Sequence, residues 1–408
     1  MPHTKIFVTK TSLIFLLLAM ALAACAPTQG GSPTPESTPV TPESTNTATP
    51  FPPEATPTPT NTPTPTETAT PTVTPTLTPA AHGPFGFPPD VNPLTGLFAA
   101  TPGILDRHPV MVKVSNFPRS LRPHAGLSFA DIVFEYYIGA GATRFTALYY
   151  GQDTQQAGPV RSARLIDASL ANAFQGVLAF ASADPFVYRR VVSALGNRAI
   201  TEGPVTCPAM CRTGSGDVNS VFVDTALMTE YAVEDRNVPD SAPNLEGMAF
   251  DPVAPEGSSS GTRVQVRYAS SAISDWRYDE ETGTYLRWIE RVDAINNVVL
   301  VELTDRLTGE QLAFANVVVL FARYSELKPT LHEVEIAGNT QGRRAILFRD
   351  GQTYDLIWKA AGNQPIQFFF LDGTPAPFKP GNTWFEVVGI NSLVLENAGE
   401  WEVDFRIP

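Results

Sequence analysis

The chain has 408 residues, 28 Lys and Arg against 41 Asp and Glu, a net charge of −13 and three cysteines. So acidic a balance excludes a general nucleic-acid binder, because phosphate backbones are held by an excess of cations. The length exceeds what one core usually serves, so more than one domain is expected.

Residues 1–24 read as an export signal. Lys5 and Lys10 supply the positive start, and Leu13 to Leu22 is an almost unbroken apolar run. That run is short for a membrane span of about 20 residues. It ends in Leu22-Ala23-Ala24-Cys25, which resembles the lipobox of bacterial lipoproteins. The resemblance implies cleavage before Cys25 and diacylation of its thiol. Two acyl chains hold a protein stably on a membrane. The expected location is the extracytoplasmic face of the cell membrane.

Residues 25–84 form a Thr/Pro-rich tether, as in Thr56-Pro57-Thr58-Pro59-Thr60. Proline denies the backbone a donor and little apolar surface is available, so no core forms here. In polyproline II, at about 3.1 Å per residue, the tether reaches roughly 180 Å at most. With Lys5, Lys10, Glu36, Glu43, Glu54 and Glu67 set aside, residues 85–408 keep 26 basic and 37 acidic side chains, a net of −11.

Two folded parts are expected, an N-terminal domain over 85–245 and a smaller one over 262–408. The fold class is α+β, a mixed α/β domain followed by a mainly antiparallel β domain. In the first part, Pro109–Ser115, Ala130–Ile138 and Thr143–Tyr150 are β-branched and aromatic runs that read as strands. Helical spacing over Val160–Phe174, after Gly158-Pro159, predicts a helix. Val177–Ala181 reads as a strand, Asp184-Pro185 opens a helix to Leu195, and Asp224 caps another after a strand at Ser220–Val223. Prolines and Gly257-Ser-Ser-Ser-Gly261 mark the boundary. Beyond it, hairpins are expected for Trp276–Tyr278 with Thr284–Ile289, for Asn297–Leu303 with Phe314–Phe321, and for Arg344–Phe348 with Gln352–Trp358.

Cys207 and Cys211 are an even pair in a chain expected outside the cytoplasm, which favours a disulfide over free thiols. No cofactor loop or metal motif is present, and the five histidines are scattered. Arg161 and Arg164 lie three apart beside the predicted helix start, against its dipole, so they invite an anion. Internal pairing with Asp131, Glu135 or Asp167 is the alternative. Glu135 sits in an apolar run and needs a partner if buried, with Arg144 or Arg161 available. Arg122, Glu135, Arg144, Arg161 and Arg164 are therefore the candidate binding residues.

Asn92-Pro-Leu-Thr-Gly-Leu97, Arg122-Pro123, Gly126–Glu135, Thr143-Arg-Phe145 and Gly158-Pro-Val-Arg-Ser-Ala-Arg164 together resemble the YerB-like lipoprotein family, catalogued as domain of unknown function 3048. Phe348–Gly351, Trp358 and Pro380-Gly-Asn-Thr-Trp384-Phe-Glu resemble its C-terminal domain. The resemblance implies a membrane-anchored, two-domain extracytoplasmic protein, without an assigned activity. Ala179–Asp184 departs from the family's His-Ala-Gly-Gly-Ser-like stretch, so a role for that histidine is not carried over. The expected function is an envelope binding or regulatory module, without catalysis, that recognises wall polymer or a wall-synthesis partner. The alternatives are a glycan or peptide hydrolase or transferase using Glu135 or Asp131, and a structural scaffold.

Overall fold

The computed structural model describes residues 80–214, 217 and 219–407. The expected signal, Cys25 and almost all of the tether lie outside the described residues. In the N-terminal half, β1 (Val110–Ser115), β2 (Ile132–Gly139) and β3 (Ala142–Tyr149) lead to α1 (Leu165–Ala173), β4 (Val177–Phe180), α2 (Pro185–Leu195), β5 (Ala199–Thr201) and α3 (Thr225–Glu234). The caps are those the sequence offers. Asp184 accepts from Phe186 N–H with Pro185 in the first turn, and Asp224 accepts from Leu227 N–H.

The C-terminal half is nearly all strand. In chain order its main strands are β6 (Arg263–Ala269), β7 (Ala272–Asp279), β8 (Thr284–Val292), β9 (Val298–Glu302), β10 (Asn316–Lys328), β11 (Leu331–Glu335), β12 (Arg343–Arg349), β13 (Gln352–Lys359), β14 (Gln367–Phe369), β15 (Thr383–Gly389), β16 (Leu393–Asn397) and β17 (Glu400–Asp404).

The two halves share one sheet. Its main path runs β14-β13-β12-β10-β15-β2-β3-β1-β4-β5. The seam is β2 beside β15, parallel, with Ile132 opposite Thr383 and Glu135 opposite Glu386. Both strands are buried along almost their whole length, as expected of parallel strands covered on both faces. The expected boundary near 245–262 is therefore crossed by backbone hydrogen bonds, and the described residues belong to one compact unit. A second sheet, β9-β8-β7-β6-β17-β16, is built from the C-terminal half alone.

Alternation along β2 sorts the layers. Ile132, Phe134 and Tyr136 join a cluster with Ile166 and Leu170 of α1 and Val187 and Val191 of α2. Val133, Phe145 and Trp384 face the other way, onto Val264, Trp276 and Tyr285 of the second sheet. Helices α1 and α2, the large sheet and the small sheet stack in that order, with α3 packed on the small-sheet face of the large sheet.

Two expectations are corrected. The helix predicted from Pro159 begins only at Leu165. Val160 N–H donates to Val221 O at 2.8 Å and Arg161 N–H to Lys113 O at 2.8 Å, so the segment is held extended between neighbours. Those bonds satisfy donors that a helical first turn would leave open. The hairpin expected between 297–303 and 314–321 also divides. β9 pairs with β8, whereas β10 crosses to the large sheet between β12 and β15. Val317 and Val319 face one core while Val318 and Leu320 face the other, which suits a central strand and not a half-exposed hairpin arm.

The shared sheet predicts joint unfolding. All five tryptophans lie beyond residue 275. Every α-helix among the described residues lies before residue 235. Tryptophan fluorescence and helical circular dichroism should therefore report separate halves, yet their urea transitions should coincide within error. Phe385→Ala should lower both by about 3–5 kcal/mol. Two separated transitions would contradict the shared core.

Candidate functional site

The five candidate residues fall on opposite faces of the large sheet. Arg122 and Glu135 lie on the small-sheet side. Glu135 is 2% exposed and binds Arg287 of β8 at 2.7 Å. That partner replaces the expected Arg144 or Arg161. Strand alternation is the reason, because Arg144 stands opposite Tyr136 and so shares the helix face. Arg287 also approaches Glu386 at 3.5 Å and lies over the adjacent rings of Trp276 and Trp384, 4.9 and 5.2 Å from their centroids. Trp276 Nε1 and Tyr268 OH donate to Glu386, and Thr143 Oγ1 donates to Glu135. Arg122 reaches this network through Asn116 and pairs with Glu290 at 2.8 Å.

Burial, with the Glu386 carboxylate beside it, holds the Glu135 carboxyl well above the ordinary range, at about 8. The folded protein thus keeps a proton that the unfolded chain releases above about 4.5. Native-state proton excess makes stability fall as pH rises. Stability should therefore decline from about pH 4.5 to about 8, and Glu135→Gln should flatten that part of a melting-temperature profile. An unchanged slope in the variant would place the titration elsewhere.

Arg144, Arg161 and Arg164 lie on the helix side, with Lys113 beneath them. Lys113 is fully buried and contacts Asp167 at 3.2 Å, Thr146 at 3.4 Å and the Tyr136 hydroxyl. Burial brings its pKa down to about 7, against the pull of Asp167. Asp167 also accepts the Arg164 N–H at 2.6 Å, closing the start of α1. Arg144 donates to the Ser162 carbonyl at 2.6 Å, and Arg164 donates to the same oxygen at 3.5 Å and to Ala163 O at 3.0 Å. Among the described residues, none of the three arginines forms an ion pair. The Nε atoms of Arg161 and Arg164 are buried without a partner. Burial, then Arg164 and Arg161, depress Arg144 to about 9, which marks cations in excess over nearby carboxylates. The arrangement can hold an anion.

Asp131 occupies a third place. Its carboxylate accepts Asn92 Nδ2 at 2.8 Å, Tyr150 N–H at 2.6 Å and Gly151 N–H at 3.0 Å. It lines a cleft of about 500 Å³ with Thr95, Lys379 and Asn382, and burial raises its pKa to about 6. Cys207 and Cys211 are joined in a disulfide with Cα atoms 5.0 Å apart. Lys113, Arg287, Glu290 and Glu386 were not among the expected site residues. Each carries the signal that pointed to Glu135, a charge inside an apolar run.

Residues 94–237 match the family described as Protein of unknown function (DUF3048) N-terminal domain, and residues 264–385 match its C-terminal domain. The Bacillus subtilis (strain 168) protein named "Putative lipoprotein YerB" is 26% identical over 306 residues, covering 72% of this chain and 85% of that protein. The crystal structure of YerB from Bacillus subtilis superposes with a TM-score of 0.58, covering 73% of this chain and 96% of that one at 26% identity. No helix among the described residues is long and apolar enough to cross a membrane. On both matched domains and this relative, the chain belongs to the YerB-like DUF3048 family.

Proposed function

We propose that this chain is a lipid-anchored, extracytoplasmic binding module of the cell envelope that holds an anionic wall polymer at Arg144, Arg161 and Arg164. The lipobox-like Leu22–Cys25 and the name of its relative support the anchor. The Thr/Pro tether gives the module reach into a wall layer. The single observation that carries the binding reading is the set of three half-buried arginines without carboxylate partners, two with buried, unpartnered Nε atoms. Desolvated cations left unpaired destabilise a fold, so their retention favours a ligand that supplies the missing charge.

A second reading has its own observation. Asp131 is a carboxyl of raised pKa beside an open cleft, as an acid/base group in a hydrolase or transferase would be. Its three hydrogen bonds make it at the same time the tie that fixes Asn92 and Gly151.

One experiment separates the readings. Full-length protein is sedimented with purified wall polymer, and the supernatant is assayed for soluble fragments. Binding should fall about tenfold in Arg161→Ala/Arg164→Ala and weaken with salt, and no fragments should appear. Fragment release that stops in Asp131→Asn would establish the enzyme instead. Polymer binding equal in wild type and double variant would remove the arginines from the account.

A further inference from the structure

The arginine face carries enough geometry to name its ligand chemistry, on the reading that it binds an anionic polymer. Elsewhere in the molecule several buried arginines are matched to carboxylates, although Arg198 is held by the Ala171 and Gly176 carbonyls and Asn172 alone. Arg107 pairs with Asp153 at 2.9 Å, Arg122 with Glu290 at 2.8 Å and Arg349 with Asp350 at 2.8 Å. The chain thus uses carboxylates freely for this purpose, yet among the described residues Asp167 and Asp184 near Arg164 and Asp217 near Arg161 form no ion pair with these arginines. Asp167 is already engaged by Lys113, Thr146 and the Arg164 N–H.

Three guanidiniums demand more than one carboxylate can give. A carboxylate offers two coplanar oxygens, which suit one fork. The remaining two arginines would stay desolvated and repel one another. A dianionic phosphoryl group offers three terminal oxygens in tetrahedral array and a second charge. Arg144 and Arg164 already converge on one oxygen, the Ser162 carbonyl, so both reach the same small volume. The Ser162 and Ser182 hydroxyls, 2.9 Å apart and exposed, lie on the adjoining surface.

The rest of the ligand has a place to go. Leu165, Ala168, Ser169 and Asn172 of α1 form one wall of a cleft of about 460 Å³, and Glu333 and Val334 of β11 lie on the other. Arg164 is the extended residue just before α1, adjacent to Leu165, which lines this cleft. Ser169 and Asn172 offer hydrogen bonds to hydroxyl groups. Arg190 and Arg323 line the same cleft with Glu333 and Glu335, so its charges are balanced, and the uncompensated cations are at the arginine end.

We propose that Arg144, Arg161 and Arg164 bind the dianionic terminal phosphoryl group (a monoester) of a phosphorylated polyol or sugar chain, with its hydroxylated body along the α1–β11 cleft. Calorimetric titration of the full-length protein with glycerol phosphate, glycerophosphoglycerol, glucuronate and phosphatidic acid vesicles tests this. Saturable binding of glycerol phosphate is expected, about tenfold tighter than the diester or glucuronate. It should weaken about tenfold in Arg164→Gln and in the more exposed Arg161→Gln. Circular dichroism of each variant confirms that it is folded. Glucuronate binding as tightly as glycerol phosphate would overturn the phosphoryl assignment. So would full affinity in both folded variants, or binding to vesicles without binding to soluble glycerol phosphate. If glycerol phosphate fails while wall polymer still sediments in an arginine-dependent way, the ligand class is wrong and the binding module stands. If neither binds, both fail.

Discussion

Arg287 between Glu135 and Glu386 is the interaction on which the rest of the molecule depends. The two carboxylates stand opposite each other on β2 and β15, the strands through which the halves of the chain meet. Placed there alone they would repel across a buried seam. Arg287 arrives from the small sheet and binds both, while Trp276 and Trp384 close over its guanidinium. One side chain thus fixes the β2–β15 register and docks the second sheet on the first. Apolar burial supplies most of the stabilisation. The buried charges select which strands lie side by side, a role for which ionic groups in a core are suited.

The same strands dictate where the free charges emerge. Period-two alternation sends Glu135 into the closed seam and its neighbour Tyr136 to the helix face, with Lys113 and Arg144 beside it. On the seam side arginines and glutamates are matched. On the helix side Asp167 pairs with Lys113, while Asp184 and Asp217 lie near Arg164 and Arg161 without pairing with them. An acidic protein has therefore gathered a local cationic face, and that contrast carries the functional reading. Pocket size alone would have pointed elsewhere, since clefts of comparable volume lie beside Asp131 and beside Tyr354.

Local signals in the sequence were reliable where they depended on near neighbours. Asp184-Pro185 and Asp224 start their helices, and the Asp279–Gly283 and Arg349–Gly351 turns make their hairpins. Pairings between distant segments were not legible. Nothing in Thr383–Gly389 announces that it lies beside Ile132–Gly139, so the sheet shared across the expected boundary was not legible. Glu135 was recognised as a charge in an apolar run, but its partner lies 152 residues away. The extended segment at Gly158–Arg164 was misread because its apolar spacing mimics a helix, while its hydrogen bonds go to β1 and Val221. Arg161 and Arg164 nevertheless both lie close enough to Arg144 to lower its pKa.

The central claim is that Arg287 joins the halves by satisfying two opposed carboxylates. Urea unfolding of Arg287→Met and of Arg287→Met combined with Glu135→Gln and Glu386→Gln tests it directly. At about pH 9, where Glu135 is ionised in the folded protein, the account predicts a loss of about 3–5 kcal/mol for the single variant, because two buried carboxylates lose their counter-charge, and recovery of most of that loss in the triple variant. A loss below about 1 kcal/mol for Arg287→Met, the size of an exposed pair, would contradict it.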